Sequence, residues 1–132
     1  MTIRQLIYSS QPFGYDAAML GGILVAARRN NHRDGLTGAL ICRHDIYLQL
    51  LEGPVAAVTA AFARIARDDR HLDVVELVNA DVDCRMFPTW DMLDDPARSW
   101  LWSPAEIAAG AVSAAGPDAI TRVFARVAAE AA

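Results

Sequence analysis

Leu36-Thr37-Gly38-Ala39-Leu40-Ile41-Cys42-Arg43-His44-Asp45-Ile46-Tyr47-Leu48-Gln49-Leu50-Leu51-Glu52-Gly53-Pro54 is the stretch on which the fold turns. Two apolar runs, Leu36–Cys42 and Ile46–Leu51, flank Arg43-His44-Asp45, the pattern of two strands joined in a hairpin. In the second run, alternation puts Ile46, Leu48 and Leu50 on one face and Tyr47, Gln49 and Leu51 on the other. Both faces are apolar, so this strand is expected at the centre of a sheet covered on both sides. Glu52-Gly53-Pro54 ends it, and Pro54 suits the opening of a helix.

Upstream, Ile3–Ser9 reads as a first strand, stopped by the breakers Ser10-Gln11-Pro12-Phe13-Gly14. Asp16 is placed to cap a helix running to about Asn31, with Leu20, Ile23, Leu24 and Ala27 on its core face. Gly21 and Gly22 each weaken that helix by about 1 kcal/mol relative to Ala, which close approach by another group would justify. Downstream, Val55, Val58, Phe62 and Ile65 mark the core stripe of a second helix through Asp68. Val74–Ala80 is expected as a fourth strand and Arg85–Met92 as an extra one, with Pro88 confining part of it to an edge.

The order β-α-β-β-α-β predicts an α+β, ferredoxin-like fold with an extra strand. Two helices cover one face of such a sheet and leave the other bare. The tail supplies a cover. Ser103-Pro104-Ala105-Glu106 has the form of a capping box with Pro at N1. Gly116-Pro117 precedes a helix with Ile120, Val123, Phe124 and Val127 on its apolar side. Residues 1–93 are therefore expected to form the domain, and 94–132 a helical extension packed on it.

Composition agrees with a single folded unit. The chain has 132 residues, 54% hydrophobic and 21% charged, enough for a core without staples. A net charge of −4 with no lysine argues against a nucleic-acid partner. Cys42 and Cys84 stand far apart, with neither metal-ligand spacing nor a disulfide framework, as expected of thiols in a reducing compartment. No signal-peptide pattern and no apolar run of membrane-spanning length occurs, so a cytoplasmic location away from membranes is expected.

Polarity where the pattern demands a core marks the candidate site. Gln49 sits on an all-apolar strand, and an unsatisfied buried amide costs about 1–3 kcal/mol. A bond to backbone or to Tyr8 would satisfy it structurally. A ligand needing both a donor and an acceptor would do so functionally, since one carboxamide supplies both. Asn31 continues the apolar stripe of the first helix, with Asn30 beside it, although Asn is also common where helices end. Tyr8 ends an apolar strand, where a buried phenol needs a partner for its hydroxyl. Two carboxamides, a phenol and apolar walls suit a flat heteroaromatic ring. His32, His44 and His71 do not cluster by spacing, and no phosphate-binding glycine loop or metal set occurs.

Six segments, in order and spacing, carry a resemblance over about residues 3–92. They are Leu6-Ile7-Tyr8-Ser9-Ser10, Ala27-Arg28-Arg29-Asn30-Asn31, Gly35-Leu36-Thr37-Gly38-Ala39-Leu40, Leu48-Gln49-Leu50-Leu51-Glu52-Gly53-Pro54, Asp68-Asp69-Arg70-His71 and Arg85-Met86-Phe87-Pro88-Thr89-Trp90-Asp91-Met92. The chain resembles the BLUF domains, blue-light sensors that use FAD. The resemblance implies a non-covalent flavin whose ring lies between the two helices, near Ile23 and Ala27. It implies Tyr8 as electron and proton donor to the excited flavin. Gln49 would bond both Tyr8 and the flavin N5/O4 edge, and Asn31 would hold the pyrimidine edge. Trp90 and Met92, two apart on one strand face, would lie near Gln49 and repack on illumination. Asn30, Arg64, Asp68 and His71 are further implied contacts.

On that resemblance the chain is a photoreceptor rather than an enzyme. Gln49 rotates or tautomerises, and the change leaves through the C-terminal region to a protein partner or to a change of homo-oligomer. FMN or riboflavin in place of FAD is left open. The alternatives are a flavin oxidoreductase, for which no nicotinamide or substrate motif is visible, and a ferredoxin-like module that binds a small metabolite.

Overall fold

The computed structural model describes residues 2–12, 17–67, 71–96 and 101–131, without the side chains of residues 12, 17–20, 71–72 and 94–96. The Asp16 cap proposed from the sequence lies outside the described residues, as does the side chain of Leu20.

The run Ile46–Leu51 behaves as its alternation requires. It forms strand β3 (Ile46–Gly53), every residue of which is buried. β3 is the central strand of a five-stranded sheet with β1 (Ile3–Pro12), β2 (Thr37–Arg43), β4 (His71–Val82) and β5 (Leu93–Pro96), in the order β4-β1-β3-β2-β5. The first four strands pair antiparallel, the ferredoxin-like arrangement expected from the element order. Gly38 is required at the hairpin: a Cβ there would stand 1.9 Å from the Leu50 carbonyl oxygen.

Helices α1 (Ala17–Asp34) and α2 (Val55–Ala66) lie over one face. There Tyr8, Leu40, Tyr47 and Leu51 of the sheet meet Ile23 and Leu24 of α1 and Val58 and Ala61 of α2. α1 runs one turn beyond the expected Asn31. Gly35, at φ +73°, ends it, and Leu36 N–H returns to the Asn31 carbonyl at 2.9 Å.

The other face is covered by the tail, as its apolar stripe predicted. Ile7, Ile41, Ile46, Leu48 and Leu50 pack with Val112 of α4 (Ala111–Ala115) and with Ile120, Phe124 and Val127 of α5 (Pro117–Ala131). Full burial of each such side chain is worth roughly 1.5–3 kcal/mol, so docking of the tail is a large stabilising term. The capping box at Ser103 and Glu106 forms, though the helix it opens, α3 (Pro104–Ala108), is short.

One expectation fails. Residues Arg85–Met92 are bends and turns, not a strand, and the extra strand is β5, which pairs parallel with β2 from Ala39↔Leu93 to Cys42↔Pro96. The cause is Glu52. Its fully buried carboxylate accepts from Met86 N–H at 2.8 Å and Phe87 N–H at 2.6 Å, removing two donors that a ladder would need. Trp90 N–H then returns to the Phe87 carbonyl at 3.3 Å, closing a turn around Pro88.

Candidate functional site

Strand register brings the phenol and the carboxamide together. Tyr8 on β1 stands opposite Gln49 on β3. The Tyr8 hydroxyl donates to Gln49 Oε1, with both residues buried and the Tyr8 ring tilted against Phe62 at 5.5 Å. Taken alone, that bond is what a purely structural Gln49 would make. The other end of the amide is more informative. Gln49 Nε2 donates to Met92 Sδ at 3.4 Å, and a thioether is a weak acceptor. The amide nitrogen is therefore paired with a partner that a better acceptor could replace.

Such a partner has room to enter. A cavity of about 190 Å³ opens between α1 and α2 above β3, several times the ~30 Å³ share of one water. Gln49 and Leu51 form its floor, Ile23, Ala27, Asn30 and Asn31 one wall, and Ala61, Arg64 and Ile65 the other. The walls can stand apart because Ala26, Ala27 and Ala61 occupy positions where larger residues would fill the gap. Apolar walls with carboxamides at the floor and one side fit a flat ring bearing a hydrogen-bonding edge.

Asn31 is not a helix terminus. It lies within α1 and is 3% exposed, and its Nδ2 donates to the Asp91 carbonyl at 2.8 Å while the residue also lines the cavity. Arg64 stands at the cavity mouth with Nη2 3.5 Å from Asp34 Oδ2. A hydrogen bond from Arg33 keeps the Asp34 carboxyl below its usual range, and Arg64 adds to this.

Seven of the residues chosen from the sequence thus gather at one place: Tyr8, Ile23, Ala27, Asn30, Asn31, Gln49 and Arg64. Met92 joins them, 1% exposed, but from a loop and not from a strand. Trp90, expected beside Met92 on one strand face, is 41% exposed, with its carbonyl accepting from Gly38 N–H at 3.1 Å. The absence of a strand removes the two-residue periodicity that would have set the pair side by side. Asp68 lies outside the described residues, as does the side chain of His71.

Outside the cavity, sequence reasoning missed two residues that hold the loop carrying Met92. Arg28 Nε donates to the Met92 carbonyl at 3.2 Å, and Glu52 anchors the start of the same loop. Among the described residues no group of His, Cys, Asp and Glu is placed to hold a metal ion, and no helix is long and apolar enough to cross a membrane.

A family model described as sensors of blue light using FAD, BLUF, matches residues 3–93. The chain is 34% identical over 89 residues to the photoactivated adenylate cyclase subunit beta of Euglena gracilis, covering 67% of this chain and 10% of that protein. It is 37% identical over 65 residues to the blue light- and temperature-regulated antirepressor BluF of Escherichia coli strain K12, covering 49% of this chain and 16% of that one. It thus spans only a small part of the length of these curated relatives. Among solved structures, the dark-state structure of BlrB, a BLUF protein, superposes with a TM-score of 0.82 at 26% identity, over 98% of this chain and 97% of that one.

Proposed function

The chain belongs to the BLUF family, the sensors of blue light using FAD, and we propose that its switch is the relay Tyr8–Gln49–Met92 at the floor of the α1–α2 cavity. The observation that carries this reading is the unequal pairing of one buried carboxamide. Its oxygen takes a phenol proton, while its nitrogen is spent on a sulfur beside an open cavity.

Bound flavin would supply absorption of blue light and, once excited, an acceptor for an electron. Ile23, Ala27 and Ile65 would flank its ring, and Gln49, Asn31 and Asn30 would bond its edges. The family description supports FAD as the form bound, with Arg64 at the mouth the residue best placed to meet the chain beyond the ring. Tyr8 holds a proton against Gln49 Oε1 and is the donor in reach. Once that proton has left and returned, Gln49 settles with its ends exchanged or as its tautomer. Exchange of ends turns an acceptor into a donor toward Tyr8 and presents Oε1 to Met92. Sulfur has no proton to give that oxygen, so Met92 loses its partner and the loop that carries it is freed to repack. The product is a second conformation and no chemical product, a two-state element biased by light.

Residues 94–132 form the output extension on this reading, and the signal passes to a protein partner in the cytoplasm or to a change of homo-oligomer. No enzymatic step is assigned to the chain. Absorption spectra of the purified, flavin-loaded protein before and after blue light test the proposal. A red shift of the flavin band that reverses in the dark is expected. Bleaching by NADH without a light-induced shift would point to an oxidoreductase instead, and a protein that takes up no flavin to the metabolite-binding module.

A further inference from the structure

Met92 and Leu93 are consecutive, yet they belong to different cores. Met92 is buried in the inner cluster with Tyr8 and Tyr47, whereas Leu93 packs against the outer cluster that holds Phe124 and Val127. The peptide unit joining them is where the chain passes from the switch face of the sheet to the tail face. Its carbonyl, Met92 O, is the one that accepts from Arg28 Nε at 3.2 Å. Asn31, one helical turn further along α1, holds the preceding carbonyl, Asp91 O, at 2.8 Å.

The sulfur bond from Gln49 cannot fix this crossing, because thioethers accept weakly. A guanidinium bond to a carbonyl is charge-assisted and stronger. Asn31 belongs to the cavity wall and Arg28 does not, so the two clamps are separable. We infer that Arg28 is a positioning residue: it latches the Met92–Leu93 peptide in the dark arrangement, and so sets how long the lit state lasts and how far the change reaches β5. This rests on the Gln49 switch proposed above. When Gln49 releases the Met92 sulfur, Met92 can move away only by drawing its carbonyl off Arg28 Nε, so the bond favours the dark arrangement and the return to it.

The test uses full-length, flavin-loaded protein carrying Arg28→Ala or Arg28→Lys. Alanine is a better helix former than arginine at an exposed position, so α1 stays intact. Arg28→Ala should keep the flavin spectrum and the full light-induced red shift, since Arg28 does not line the cavity. Its lit state should last longer by about threefold or more, the effect of losing one partly exposed charge-assisted bond. Amides of residues 93–95 should exchange faster in the dark than in the unaltered protein. Arg28→Lys, which keeps a donor, should return the lifetime most of the way. A lifetime in Arg28→Ala that is unchanged or shortened would overturn the latch, as would Arg28→Lys behaving like Arg28→Ala. Absence of any red shift in the unaltered protein is a different failure, that of the switch itself.

Discussion

At the scale of single residues the site depends on one carboxamide being unable to satisfy both ends equally. Gln49→Leu tests this directly. Leucine matches the volume and the apolar character of β3, so the fold should survive at a cost of about 1–3 kcal/mol for the lost Tyr8 bond. Flavin should still bind, but with no group left to exchange donor for acceptor the red shift should vanish. Infrared difference spectra that still show a light-induced weakening of the flavin C4=O bond in this variant would rule out the role given to Gln49. Asn31→Ala acts on both the cavity wall and Asp91. Losing paired bonds to a buried ring edge costs about 1–3 kcal/mol, or roughly 5- to 150-fold in flavin affinity. Retention of flavin through dialysis equal to that of the parent would leave Asn31 with the loop alone. Gln49 and Asn31 were legible because each interrupts an apolar stripe. Arg28 was not, since an arginine on an exposed helix face looks like any solvated charge until the loop that meets it is placed.

At the scale of elements the hairpin was legible and the loop after β4 was not, for one physical reason. The strands Leu36–Cys42 and Ile46–Leu51 declare themselves through local alternation and adjacent breakers. The loop Arg85–Met92 owes its shape to Glu52, far away in sequence, whose buried carboxylate claims the Met86 and Phe87 N–H groups. In the sequence Glu52 looked only like the polar end of a strand. Arg85 completes the same anchor by donating to Thr37 Oγ1 at 2.9 Å and to the Gly35 carbonyl at 2.8 Å. The hairpin itself offers a sharp check. In Gly38→Ala the new methyl would stand 1.9 Å from the Leu50 carbonyl oxygen, a backbone atom that can yield only if β2 and β3 separate. Overpacking of this kind costs about 1–3 kcal/mol or more. The urea midpoint should fall accordingly, with flavin binding weakened as Gln49 moves with β3; a midpoint equal to that of the parent would show that the hairpin opens freely.

At the scale of the whole molecule the sheet separates two cores, to both of which β1, β2 and the central β3 contribute. Tyr47, Gln49 and Leu51 of β3 face the cavity side, while Ile46, Leu48 and Leu50 face the tail. The cavity lies on one side and α5 on the other, with Phe124 fully buried and set edge-on to Phe87 at 6.5 Å. Phe87 belongs to the loop anchored by Glu52; Met92 ends that same loop and Leu93 opens β5. A shift of Met92 would therefore reach α5 by two routes, through Leu93, which packs on the outer cluster, and through the Phe87–Phe124 contact. We expect light to loosen the docking of residues 117–130, with a coupling of about 1–3 kcal/mol, as is usual between linked sites. That corresponds to amide exchange roughly 5- to 150-fold faster in the lit state along α5, while exchange in β1 and β3 changes little. Hydrogen exchange under continuous blue light and in darkness measures it. Equal exchange across residues 117–130 in the two states would mean that the signal leaves by another surface. A rigid-body response would read differently. If the whole sheet moved, β3 amides would accelerate together with α5, whereas a local hand-over at Met92 and Leu93 leaves them protected.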